Sequence, residues 1–153
     1  MHGTGKTIAW ATLVAGTLDI VFAMILTLAF GHEIPDMLRR VGSGPFPAAT
    51  DMGTAGAILG LLVHFALMGI MAAAYVLFAG APARRHLIDM PYRAGLAYGV
   101  ITYIVMNLIV VPLRFGAWPP KPMSIATQLF AHIVLVGIPI ALITARSLRS
   151  RSP

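Results

Sequence analysis

The stretch Ile8–Phe30, IAWATLVAGTLDIVFAMILTLAF, carries one ionisable side chain, Asp19, in an otherwise apolar run. A helix needs about 20 such residues to cross a hydrocarbon core ~30 Å thick. Three further stretches read the same way: Ala55–Phe78, Ala94–Leu113 and Ser124–Ala145. Pro112 and Pro139 interrupt the last two, which membrane helices tolerate because neighbouring groups re-satisfy the freed backbone. The first stretch is too long for a signal-peptide core of about 7–15 residues and lacks a small-residue cleavage site, so it reads as an uncleaved first helix.

Composition agrees with this reading. Of the 153 residues 58% are hydrophobic and 10% charged, against about 25% charged in an ordinary soluble domain. Such a chain cannot coat a soluble globule with polar surface. The expected fold is therefore all-α, one integral membrane domain over residues 1–153, folded as an up-down-up-down four-helix bundle. There are no cysteines, which removes disulfides and thiolate metal sites. The net charge of +6 is spread over the ends of apolar runs rather than clustered with aromatics, so nucleic acid is not an expected partner.

The same charges orient the chain. Lys6, Arg84, Arg85, Arg93, Arg146, Arg149 and Arg151 fall on one side, and Arg39, Arg40, Arg114 and Lys121 on the other. Seven against four puts both termini in the cytoplasm by the positive-inside rule. Trp10, Tyr92 and Trp118 fall near the interfaces, where amphipathic rings settle. In the long outer connection Pro35 opens a short helix through Val41, closed by Gly42 and Gly44, and Phe46 can dip into the interface. Trp118-Pro119-Pro120-Lys121-Pro122 reads as a stiff link between the third and fourth spans. Both connections read as tied to the membrane surface.

The second and fourth spans align on their histidines. Leu61–Ile70 lies over Leu129–Ile138, with Leu, His, Leu, Gly and Ile coinciding. In the preceding spans Asp19 then corresponds to Asn107. This predicts two pseudo-equivalent helical hairpins related by an axis along the membrane normal.

Each span holds one polar group well inside the hydrocarbon: Asp19, His64, Asn107 and His132. At 1.5 Å per residue they lie roughly 9–17 Å from the outer helix ends, in one layer. A central Asp costs at least ~2.5 kcal/mol on insertion scales, so these groups should face inward and pair. Positions four apart share a helix face. Those faces read Ala11, Ala15, Asp19, Ala23; Gly56, Gly60, His64, Met68; Gly95, Gly99, Tyr103, Asn107; and Ser124, Gln128, His132. Small residues at this spacing let helices approach closely, which makes Gly56, Gly60, Gly95 and Gly99 expected packing positions. In the bundle His64 and His132 would face each other diagonally, with Asp19 and Asn107 beside both.

Three readings of that layer follow. The leading one is a structural network in a small membrane protein, such as an accessory subunit that meets other subunits through lateral helix contacts. The main alternative is proton or ion translocation, since Asp and His chains in membranes build proton relays, with Tyr103 and Gln128 extending the path. The third is a cofactor, either haem between His64 and His132 with Gly60, Gly69 and Gly137 making room, or a transition metal on His64, His132 and Asp19. No catalytic machinery is recognisable. His2, His32 and His86 fall in termini or loops and read as solvated. Gly3-Thr4-Gly5-Lys6-Thr7 lacks the earlier glycine and the strand of a phosphate loop, and the nine methionines are ordinary gap-fillers.

Several segments resemble a widespread group of small four-span bacterial inner-membrane proteins to which no activity is attached. The resembling residues are Gly16-Thr17-Leu18-Asp19-Ile20, His64-Phe65, Met106-Asn107 with Val110-Val111-Pro112-Leu113, and His132 with Gly137-Ile138-Pro139-Ile140-Ala141-Leu142. Pro112-Leu113, Pro119-Pro120 and the His132 region are also similar to the YagU-type inner-membrane proteins. The resemblance implies a bacterial inner-membrane location and leaves activity open.

Overall fold

A computed structural model of the chain describes residues 2–150, without the side chains of His2 and Pro82; Arg151, counted above among the cytoplasmic charges, lies outside the described residues. The helices in chain order are α1 (His2–Ala29), α2 (Ile34–Gly42), α3 (Gly53–Ala79), α4 (Arg85–Asp89), α5 (Pro91–Phe115) and α6 (Pro122–Arg149). Four of them, α1, α3, α5 and α6, are long and apolar enough to cross a membrane. Helices α3, α5 and α6 contain the expected spans and run past them at both ends, while α1 starts earlier than expected and stops at Ala29, one residue short of Phe30.

The boundaries have local causes. Pro35, Pro91 and Pro122 sit in first helical turns, where the missing N–H has no intrahelical partner to lose. Gly31 ends α1 at φ 75° and Gly116 ends α5 at φ 63°, left-handed conformations that a side chain resists.

Pro112 and Pro139 leave a further mark. Residues Ile104–Val110 of α5 and Ala131–Gly137 of α6 are wound as π-helix. Each segment begins eight residues before its proline and ends two before it. Val111 N–H reaches back five residues to the Met106 carbonyl, and Ile138 N–H reaches back five to that of Ile133. A proline removes one donor and crowds the carbonyl four residues earlier; a wider turn shifts the ladder past that conflict. The first hairpin has no such segment among the described residues, so the two hairpins differ locally in backbone.

In cross-section α1 packs on α3 and α6, and α6 packs on α5, with α1 and α5 on opposite corners. This is the up-down-up-down order. Among the four long helices the closest approach at a glycine is between α5 and α6. A Cβ on Gly99 would meet the His132 and Ile133 backbone, and one on Gly137 would meet that of Gly95 and Gly99. Gly95 and Gly99 are therefore helix-packing positions, as expected.

Gly56 and Gly60 pack differently. They were expected on a seam between spans, but a Cβ on Gly60 would strike the Leu38 carbonyl and one on Gly56 that of Ala49. The small-residue face of α3 seats the outer connection instead. The cause is α2, whose Ile34, Met37, Leu38 and Val41 lie at helical spacing on one face. Leu38 packs with Ile20 and Ala57 over the ends of α1 and α3.

A core of small and medium side chains, including Ala11, Ala15, Ala72, Val136, Ile140 and Ala141, fills the half of the bundle nearer the chain termini. The outside is studded with exposed large apolar groups, among them Leu13, Ile25, Leu62, Ile70, Leu96 and Ile101. A helix apolar all round belongs in lipid or a large protein interior. At each end one arginine of a long helix ties down a short one. Arg114 donates to the Ser43 and Gly44 carbonyls after α2. Arg149 donates to the Ile88 and Asp89 carbonyls at the end of α4. Cations at helix C-termini satisfy orphan carbonyls and complement the dipole.

Candidate functional site: a buried Asp–His–His layer

Three of the four layer residues come together. His64 is 8% exposed and lies midway along α3. Its Nε2 is 2.9 Å from the Gly16 carbonyl of α1. A carbonyl oxygen can only accept, so Nε2 carries the hydrogen. That leaves Nδ1, which faces Asp19 Oδ2 at 4.0 Å. Gly16 is one helical turn before Asp19 on the same face, so a single imidazole engages α1 at two adjacent points.

His132, equally buried, uses the opposite nitrogen. Its Nδ1 donates to the Gln128 carbonyl of its own helix at 2.9 Å, and the Tyr103 ring meets it edge-on at 6.0 Å between centroids. Asp19 lies within electrostatic reach of both imidazoles. Each histidine thus has one nitrogen pinned to a main-chain carbonyl, and its other nitrogen makes no hydrogen bond among the described residues. Phe65 packs edge-on to His64 and presses on Gly16, which has no Cβ to obstruct it.

Asn107 does not join. It was expected beside both histidines, yet among the described residues its amide makes no hydrogen bond to them, and it lines a cleft with Gln128. The face Gly95, Gly99, Tyr103 is buried as extrapolated. At Ile104 the π-segment begins, and its wider turn carries Asn107 off that line. Tyr103 belongs to the layer through His132. Gln128 belongs through its carbonyl, while its side chain faces the cleft.

The cofactor readings fit poorly. Among the described residues no three His, Asp or Glu side chains converge on a point where a metal could sit, so Asp19, His64 and His132 do not make the ion site the sequence left open. Haem needs a slot beside the glycines, but Leu38 backbone fills the space at Gly60 and the Gly95–Gly99 backbone fills it at Gly137.

Other polar contributors had no signal in the sequence. The Gly16 carbonyl is main chain, which every residue carries. Tyr98 donates to the Met71 carbonyl at 2.7 Å and stacks on Tyr75 at 4.9 Å, joining α5 to α3. The Tyr75 hydroxyl is buried without a partner among the described residues.

Comparison of the chain with protein-family models, with curated proteins and with solved structures found no match. Fold and site define a class all the same: a four-helix bundle whose long helices are apolar enough to cross a membrane, with an Asp–His–His layer in one half.

Proposed function

We propose that this chain is a small multi-pass protein of the bacterial inner membrane, with both termini cytoplasmic. In this reading it acts as a non-catalytic accessory subunit, and its Asp19–His64–His132 layer clasps the helices in register. The observation that carries the reading is the His64–Gly16 hydrogen bond, which spends an ionisable side chain on holding α1 against α3. The cytoplasmic side rests on the charge asymmetry, and the bacterial location on the resemblance of the spans. The exposed apolar flanks offer lateral surfaces to other membrane subunits.

Proton translocation is the second reading, favoured by the position of Asp19 within reach of two histidines that each keep a nitrogen without a hydrogen bond among the described residues. Against it, the half of the bundle nearer the termini is packed with Ala11, Ala15, Ala72, Val136 and Ile140. A path to the cytoplasm would have to cross that core. Reconstitution into liposomes holding a pH-sensitive dye separates the two. The clasp reading expects no flux above empty liposomes and a lowered melting midpoint for Asp19→Asn. A proton flux abolished by Asp19→Asn would overturn it.

A further inference from the structure

The fourth edge of the bundle, between α3 and α5, is bridged by Tyr75 and Tyr98 nearer the termini and open at the α2 end. A cleft of about 640 Å³ lies there, walled by α2, α3, α5 and the start of α6. Its chemistry is graded. Arg40 and Arg114 stand at the α2 end, Gln128 and Asn107 lie further in, and Val63 and Leu67 form an apolar wall. From Arg114 to Asn107 the helix rises roughly 10 Å, a large part of one leaflet's depth.

Several polar side chains in this cleft have no hydrogen-bond partner among the described residues: Arg40, Asn107 and Gln128. Both guanidinium groups sit over one ring, that of Phe115, at 5.4 Å for Arg40 and 5.2 Å for Arg114. Two like charges lining one cleft repel, and an anion bound there would relieve that repulsion. The nearby carboxylate, Asp36, is taken by Arg39. Among the described residues neither Arg40 nor Arg114 has an ion pair. Arg114 spends Nε and one terminal nitrogen on the Gly44 and Ser43 carbonyls, which fixes its fork and leaves its other terminal nitrogen. The side-chain amides of Asn107 and Gln128 make no hydrogen bond among the described residues, and such groups are costly against hydrocarbon unless something satisfies them.

We propose that this cleft binds an anionic phospholipid from the leaflet at the α2 end. Its phosphate would sit between Arg40 and Arg114, its ester carbonyls would accept from Asn107 and Gln128, and one acyl chain would lie along Val63 and Leu67. The order cation, amide, hydrocarbon matches the order phosphate, ester, chain. A free phosphate would satisfy only the first of these.

The test is thermal melting of the full chain in dodecyl maltoside, with dioleoyl phosphatidylglycerol, dioleoyl phosphatidylcholine or sodium phosphate added. Phosphatidylglycerol should raise the midpoint saturably, while phosphatidylcholine and phosphate leave it near its starting value. Arg40→Gln should weaken half-saturation by about tenfold, the loss of one charge-assisted contact. Arg40 bonds no backbone, so this variant leaves α2 in place, unlike a change at Arg114. Val110→Trp, which fills the cleft and leaves every charge, should abolish the shift. Equal shifts with phosphatidylcholine, or an unchanged response in both variants, would mean non-specific lipid and overturn the proposal. A phosphate shift matching that of phosphatidylglycerol would overturn it in favour of a soluble anion.

Discussion

His64 and Gly16 are joined by a hydrogen bond from Nε2 to the main-chain carbonyl, 2.9 Å long, across the α1–α3 contact. The bond fixes which imidazole nitrogen holds a hydrogen and turns the other toward Asp19. Removing His64 therefore takes one interhelical donor from the Gly16 carbonyl, which keeps its own helical partner, and leaves the Asp19 carboxyl group without the imidazole beside it.

His64→Ala is expected to lower stability in detergent by about 0.5–1.5 kcal/mol, the net worth of the interhelical hydrogen bond it removes. His64→Gln, whose amide can still donate toward Gly16, should recover part of the loss. Denaturant titration followed by circular dichroism reads both. Equal stability of wild type and His64→Ala would remove the clasp.

The α5–α6 crossing depends on absent side chains. Gly137→Ala places a methyl against the Gly95 carbonyl and within 2.9 Å of Gly99 Cα. Backbone cannot yield as a flexible side chain can, so an overpacking loss of about 1–3 kcal/mol is expected. Gly5→Ala, with nothing within 4 Å of the new Cβ, should be neutral or slightly stabilising in the first turn of α1. Melting midpoints that rank the two variants the other way would contradict this packing.

The tyrosine pair gives opposite signs from one chemical change. Tyr98→Phe loses the bond to Met71 and should cost about 0.6 kcal/mol, the typical value for interhelical bonds in membranes. Tyr75→Phe removes a buried hydroxyl that has no partner among the described residues, so it should be neutral or stabilising. A loss in Tyr75→Phe as large as in Tyr98→Phe would mean that its hydroxyl is hydrogen-bonded.

Helix order can be read by crosslinking, since the chain has no cysteine of its own. Thr7 and Ser147 place their hydroxyl oxygens 2.5 Å apart between α1 and α6, within reach of disulfide geometry. The Thr7→Cys, Ser147→Cys pair should oxidise readily. A Thr7→Cys, Tyr92→Cys pair spans the α1–α5 diagonal and should not. Crosslinking of the second pair alone would refute the ring order.

Much of this architecture is legible along the chain. Four apolar runs separated by charged or proline-rich links specify four long helices, and Pro35 followed by Met37, Leu38 and Val41 specifies the short amphipathic α2. Asp19, His64 and His132 were also legible as a layer, because their depths follow from counting residues from the helix ends. The partners of that layer were not. His64 bonds a glycine carbonyl, and His132 bonds a carbonyl of its own helix. The seam drawn through Gly56 and Gly60 was right in needing a close neighbour and wrong in its identity, since the outer connection, Ala49 at Gly56 and Leu38 of α2 at Gly60, fills it rather than another span.

The sequence by itself determined that lipid is the expected solvent and how many times the chain can cross it, because transfer free energy depends on composition and length alone. It also determined which residues are too polar to face that solvent. Only the tertiary structure decided which of them meet. Asn107 falls away from Asp19 and the histidines because the π-segment ahead of Pro112 changes the rotation per residue. The cleft exists because α3 and α5 stay apart at the α2 end, bridged nearer the termini by Tyr75 and Tyr98. The gap comes from packing between helices distant in sequence; the change of rotation is local to Pro112, but a fixed period of about 3.6 residues does not carry it.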